Sequence, residues 1–195
     1  MKFVKITINQ VVFKLLLTFA HQISTLISIP LLASVVSSLE FGKVAMCLIL
    51  LQISWFISEW GVPNYSIELL SKGSKKKDKK DFLQTIIAFK LICFMVLSFV
   101  YLLLIKYVFV DLNYIFFLAL IPSLLFGLFD LSWFFSLVNK THRIVTVTFI
   151  ARILFLVGVF FLIKTDMDSY KYLVFHGASL GIISLYSFYI LVKID

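Results

Sequence analysis

The chain has 195 residues, of which 62% are hydrophobic and only 14% charged, with 22 Phe and a mean hydropathy of +1.06. A soluble domain carries about 45–50% apolar and about 25% charged residues, and must cover its surface with far more polar side chains than these, so the composition excludes a water-soluble globule and makes the chain an integral membrane protein. The net charge of +8 reads as a signal of orientation in the bilayer and not of nucleic-acid binding, because the basic run has no interleaved aromatic platform for bases.

A helix rising about 1.5 Å per residue needs about 20 mostly apolar residues to cross a hydrocarbon layer of about 30 Å. Six runs meet that length, at 11–36, 41–62, 82–110, 114–138, 144–163 and 172–192. All are expected to be helical, since hydrocarbon cannot satisfy an open backbone and the runs are too long and continuous for barrel strands. The fold class is therefore all-α, a polytopic bundle of six transmembrane helices. The first run contains Lys14 and far exceeds a signal-peptide core of about 7–15 residues, so no cleaved leader is expected.

The connections 37–40, 111–113, 139–143 and 164–171 are short, and only 63–81 is long. That segment holds six lysines between Lys72 and Lys80. Placing it in the cytoplasm puts Lys2, Lys5, Lys140, Arg143 and Lys193 on the same side, against Lys43, Lys106, Lys164 and Lys171 outside. The positive-inside rule then orients both termini to the cytoplasm. The lysine run serves as a topology signal that also touches anionic lipid headgroups, with membrane lipids as partners; docking of a protein partner is the alternative. The triplets Asn64-Tyr65-Ser66 and Asn139-Lys140-Thr141 fall on the inner side and are read as chance.

Ionisable residues inside the spans are costly, and they usually face a cavity or one another. In chain order they are Lys14, Glu59 near the interface, Lys90, Asp130 and Arg152. Lys90, Arg152 and Asp130 each lie about 12 Å from the inner end of their spans, and Lys14 enters from the same side. This shared layer predicts a common polar cavity. Lys14, Thr18, His21, Gln22, Thr25 and Ser28 fall on one stripe of the first helix, as Ser123, Gly127 and Asp130 do on the fourth. His21 and Gln22 are read as cavity-lining or helix-packing polar residues. The cations have two readings: an internal ion pair of Asp130 with Arg152 or Lys90, or capture of an anionic ligand, for which phosphate suits Arg and Lys donors. Cys47 and Cys93 show no metal-ligand or redox spacing, so neither a metal nor a cofactor is expected. Gly177 and Gly181 form a GxxxG pattern suited to close helix packing, and His176 beside them reads as a packed or interfacial residue.

Several short motifs then fall into a familiar order: Leu39-Glu40-Phe41-Gly42 opening the second span, Glu59 to Glu68 reading EWGVPNYSIE at its close, Lys90 in the third, and Trp133-Phe134-Phe135 before a short basic turn. In this order the chain resembles the N-terminal half of Wzx-type polysaccharide flippases, within the multidrug/oligosaccharidyl-lipid/polysaccharide exporter superfamily. The resemblance implies that residues 1–195 form one six-helix lobe of a two-lobe exporter. It also implies that the protein sits in the bacterial inner membrane and flips an undecaprenyl-pyrophosphate-linked oligosaccharide to the periplasmic leaflet. In that reading Lys14, Lys90 and Arg152 bind the pyrophosphate, and His21, Gln22, Glu59 and Asp130 are cavity, ion-pair or coupling residues. The partners are the lipid-linked oligosaccharide and a second six-helix lobe, supplied by a homodimer through a face such as Gly177/Gly181 or by a separate chain. The sequence departs from the family pattern at Ser34, Ser37 and Asn139, and it supplies one lobe only. A non-transporting half-protein or assembly subunit is the alternative. A glycan polymerase is disfavoured, because Asp166 and Asp168 are the only acids of the longest outer connection.

Overall fold

A computed structural model describes residues 8–59, 62, 76–107, 113–131, 135 and 142–194, and every regular element among them is a helix. We number the helices α1 (Ile8–Val35), α2 (Ser38–Glu59), α3 (Lys76–Tyr107), α4 (Tyr114–Leu128), α5 (His142–Leu162) and α6 (Lys171–Ile194), with a 3-10 turn at Asp166–Asp168. All but α4 are long and apolar enough to cross a membrane, so the protein is membrane-embedded. Of the lysine-rich connection expected at 63–81, residues 63–75 lie outside the described residues, and Lys76 to Asp81 are not loop but the first turns of α3; the end of the third expected span at 108–110 and the Trp133-Phe134 pair also lie outside the described residues. So does most of the basic turn at 139–143.

The fourth expected span, 114–138, is not one continuous helix. At 15 residues, α4 is about 22 Å long, and Phe129 to Leu131 leave the helical path. Phe129 N–H still reaches Leu125 O at 3.2 Å, but Asp130 N–H turns back to Gly127 O at 3.3 Å. Such a break is tolerated at membrane depth only where other groups satisfy the freed backbone. Here the Ser184 hydroxyl of α6 donates to Phe129 O at 3.1 Å.

α4 is the centre of the bundle. Leu120, Leu124 and Leu128 repeat every fourth residue on one stripe and are wholly buried, the periodicity of a core-facing helix. The closest partner of α4 is α6. A Cβ on Gly177 would stand 2.8 Å from Ser123 N, and one on Gly181 would stand 3.1 Å from the Phe126 ring. The two glycines thus let α6 approach α4, and the Ser123 hydroxyl donates to Leu173 O at 2.8 Å across the seam. The close packing expected of the GxxxG pair is used inside the chain, so this face is not open to a second copy. The expected homodimer face at Gly177/Gly181 is corrected accordingly.

The other helices surround this pair. α5 packs on α6 and on α1, while α2 and α3 pack on α4. Tyr101 of α3 donates to Leu50 O of α2 at 2.6 Å and shares a bond with Ser54. Ser28 of α1 bonds the Tyr172 hydroxyl at 2.8 Å. One end of the bundle is fastened by polar contacts: Ser37 N–H donates to Asp166 Oδ1 at 2.5 Å, and Ser169 donates to Glu40 Oε2 at 2.7 Å. Glu40 also pairs with Lys43 at 2.5 Å.

Candidate functional site

α1 and α2 touch each other only slightly. Behind the gap lies a cavity of about 470 Å³ bounded by five helices. α1 contributes Thr18, His21 and Gln22; α2 contributes Trp55 and Glu59; and the end of α4 contributes Gly127 and Asp130. α5 adds Thr148 and Arg152, one turn apart, while Leu180 and Ile183 of α6 close the apolar side. The break in α4 positions Asp130, because non-helical backbone at Phe129 to Leu131 carries it past the last regular turn.

His21, Gln22, Glu59, Asp130 and Arg152 all border this cavity. Arg152 is buried and reaches Ser179 Oγ from Nη1 at 3.3 Å, while its Nε has no hydrogen-bond partner. Asp130 acts electrostatically on both Arg152 and Lys90.

The two remaining cations sit elsewhere. Lys90 is 0% exposed, is not on the cavity wall, and its Nζ has no hydrogen-bond partner. The carboxylates acting on it are Glu59 first and Asp130 second. Lys14 is exposed one turn before Thr18, whose hydroxyl donates to Lys14 O at 3.1 Å. Glu59 and Asp130 both act on Lys90, and Asp130 acts on Arg152, so two carboxylates stand against two cations at this layer. Asp130 alone, counted against Lys14, Lys90 and Arg152, would leave two cations unpaired; Glu59, placed near the interface by its position in the sequence, supplies the second carboxylate.

The α1 stripe divides along its length. Thr18, His21 and Gln22 serve the cavity, whereas Ser28 is spent on Tyr172. Sequence reasoning missed Trp55 and Thr148. Each lies one turn before an ionisable wall residue, Glu59 and Arg152 respectively, and that i, i+4 relation is the signal that identifies them. His176 is packed, as its position suggested: its ring stacks on Trp55 at 6.0 Å and meets the edge of Phe155 at 5.8 Å.

The acids of the connector between α5 and α6 are both engaged. Asp168 accepts from Lys164 N–H, Thr165 N–H and the Thr165 hydroxyl, and pairs with Lys171 at 2.5 Å. The Lys171 ammonium, with the Lys164 and Thr165 donors, holds the Asp168 carboxyl down at about 2. Among the described residues no His, Cys, Asp or Glu cluster suits a metal ion.

Comparison with family models, with curated proteins and with solved structures finds no match.

Proposed function

We propose that the chain is one lobe of a two-lobe membrane exporter, and that it moves a polyprenyl-pyrophosphate-linked oligosaccharide across the bacterial cytoplasmic membrane. In this reading α4 belongs to the fourth of six crossings, and both termini lie in the cytoplasm. One observation carries the proposal. Thr18 and Gln22 of α1, and Gln52 and Glu59 of α2, are exposed within helices of membrane-spanning length and apolar composition. Polar side chains at that depth are costly against hydrocarbon. The wall they form therefore faces water and a second protein body, whereas the outward face of α3, with Ile92, Met95 and Phe99, is apolar and suits lipid.

A second lobe, from another copy or a separate chain, would close the cleft across α1 and α2. Rocking of the two lobes would then give alternating access. The cargo is the one implied by the resemblance to Wzx-type flippases. Lys14, exposed one turn before the cavity wall, is the cation best situated for the pyrophosphate. Lys90 is the internal counter-ion of Glu59 and Asp130. Transport is favoured over catalysis because Asp166 is committed to Ser37 N–H, between α1 and α2, and Asp168 to backbone and side-chain donors of its own connector and to Lys171.

The test is surface display in a bacterium whose polysaccharide depends on this chain. Replacing Thr18, Gln22 and Gln52 together by Leu makes the wall lipid-like and leaves the Glu59 and Lys90 charges in place. The expected result is loss of surface polysaccharide and accumulation of lipid-linked repeat units on the inner leaflet, at unchanged protein level in the membrane. Normal display by this variant overturns the proposal.

A further inference from the structure

The outward face of α2 differs from those of the other spans. Ile49, Gln52, Ile53 and Phe56 recur at the spacing of one helical stripe, and all four are exposed. Three of them are apolar and suit lipid. Gln52 does not: it stands about 10 Å from the inner end of α2 at Glu59, it is not on the wall of the cavity, and its amide has no hydrogen-bond partner among the described residues. The outward faces of α3, with Ile92, Met95 and Phe99, and of α5, with Ile150, Ile153 and Val157, carry no amide at that depth.

A primary amide brings two N–H donors and a carbonyl acceptor, so whatever covers Gln52 must both donate and accept. Lipid tails do neither. A second copy of this chain does both, and brings its groups to the right level. Two copies inserted with the same topology can be related only by a two-fold axis along the bilayer normal, so a residue beside that axis meets its own copy at its own depth. An amide is self-complementary there, each carbonyl accepting from the other copy's N–H, and Gln pairs membrane helices in this way. A different chain would need a matching group at the same depth, which a second copy has by identity. Charge permits the approach as well. Copies with a net charge of +8 repel wherever their lysines face each other, yet between Lys43, which is paired with Glu40, and Glu59 α2 carries no charged residue.

We infer that the stripe of Ile49, Gln52, Ile53 and Phe56 is the interface of a homodimer, in which Gln52 is hydrogen-bonded to Gln52 of the partner subunit across the two-fold axis. This deepens the exporter reading and rests on it for the second body left open there, which becomes a second copy of the chain.

The experiment is association of the full chain in lipid vesicles, read as energy transfer between donor- and acceptor-labelled copies while the protein is diluted in lipid. Transfer is expected to fall along a monomer–dimer curve. Gln52→Leu, at an outward position where Leu suits lipid, is expected to fold normally and to weaken association by about 3- to 30-fold, the range of interhelical hydrogen bonds in membranes; Gln52→Asn, which keeps an amide, should lose less. In a chain whose Cys47 and Cys93 are replaced by Ala, Ile49→Cys should form an interchain disulfide on oxidation, and Met95→Cys on α3 should not. A monomer at every dilution overturns the inference, as does undiminished association of Gln52→Leu or associated protein that does not cross-link through Ile49→Cys. A monomer combined with loss of surface display in the Thr18, Gln22 and Gln52 variant refutes the second copy alone and leaves the exporter reading with a separate chain. A Gln52-dependent dimer with normal display in that variant refutes the exporter reading and leaves the dimer standing.

Discussion

Lys90 gives the sharpest test of how the buried charges are organised. Its ammonium is wholly buried and makes no hydrogen bond, and the carboxylates acting on it come from two other helices, Glu59 of α2 and Asp130 at the break after α4. Replacing it by Met keeps most of the side-chain volume and leaves two carboxylates facing only Arg152. Removing one member of a buried ion pair typically costs about 3–5 kcal/mol. Glu59 is exposed, so water screens its share, and we expect roughly 2–3 kcal/mol for Lys90→Met. For a chain of this size each kcal/mol moves Tm by about 2–4 °C, which predicts a fall of roughly 4–12 °C in detergent or nanodiscs. Adding Glu59→Gln to Lys90→Met should recover at least half of that loss, because the uncompensated charge disappears with its partner. If Lys90→Met is as stable as the wild type, or the two substitutions simply add, Lys90 is not the counter-ion and the charge balance drawn here is wrong.

Four further outcomes rest on the packing and the connector. Gly177→Val should lower Tm and expression by overpacking, at a cost of about 1–3 kcal/mol, because its Cβ would meet Ser123 N at 2.8 Å; Gly42→Ala, with nothing within 4 Å, should instead raise stability by about 0.5–1 kcal/mol. Ser184→Ala removes the hydroxyl that satisfies Phe129 O and should cost about 1–3 kcal/mol, the penalty of an unpaired buried carbonyl, read as a lower Tm and faster amide exchange near Asp130. Asp168 has a carboxyl pKa depressed in the folded state to about 2, below the unfolded value of about 3.9. Its stabilisation is therefore fully present above pH ~4 and is lost as pH falls towards 2. The Tm difference between wild type and Asp168→Asn should be full at neutral pH and should shrink across that window.

Hydropathy made the long helices legible, because length and apolar content in a 195-residue chain are direct consequences of bilayer thickness. The break in α4 was not. Residues 114–138 read as one uninterrupted apolar run, and the group that lets the backbone leave the helix is a hydroxyl 55 residues further along the chain. A local pattern cannot show a carbonyl being satisfied by a distant helix. The same limit hid Trp55 and Thr148, whose place on the wall shows only when five helices are assembled around one cavity.

The charge balance at this layer follows from the same geometry, and it changes what the cavity can hold. From spacing alone Glu59 lies near the membrane interface, away from the layer shared by Lys90, Asp130 and Arg152, and the sum over that layer comes out positive. Folding brings Glu59 to the cavity and within the field of Lys90, and the surplus vanishes. A net positive pocket selects for an anion by charge alone, over distances of about a Debye length. A balanced one has no such reach, and must recognise its ligand by hydrogen-bond pattern at contact distance. In the exporter reading proposed above, capture of a charged lipid then falls to Lys14, which is exposed and outside this balanced layer. Lys14→Ala should therefore lower surface display of polysaccharide without the fall in Tm expected of Lys90→Met. Normal display in Lys14→Ala, or a fall in Tm as large as that of Lys90→Met, would refute the assignment.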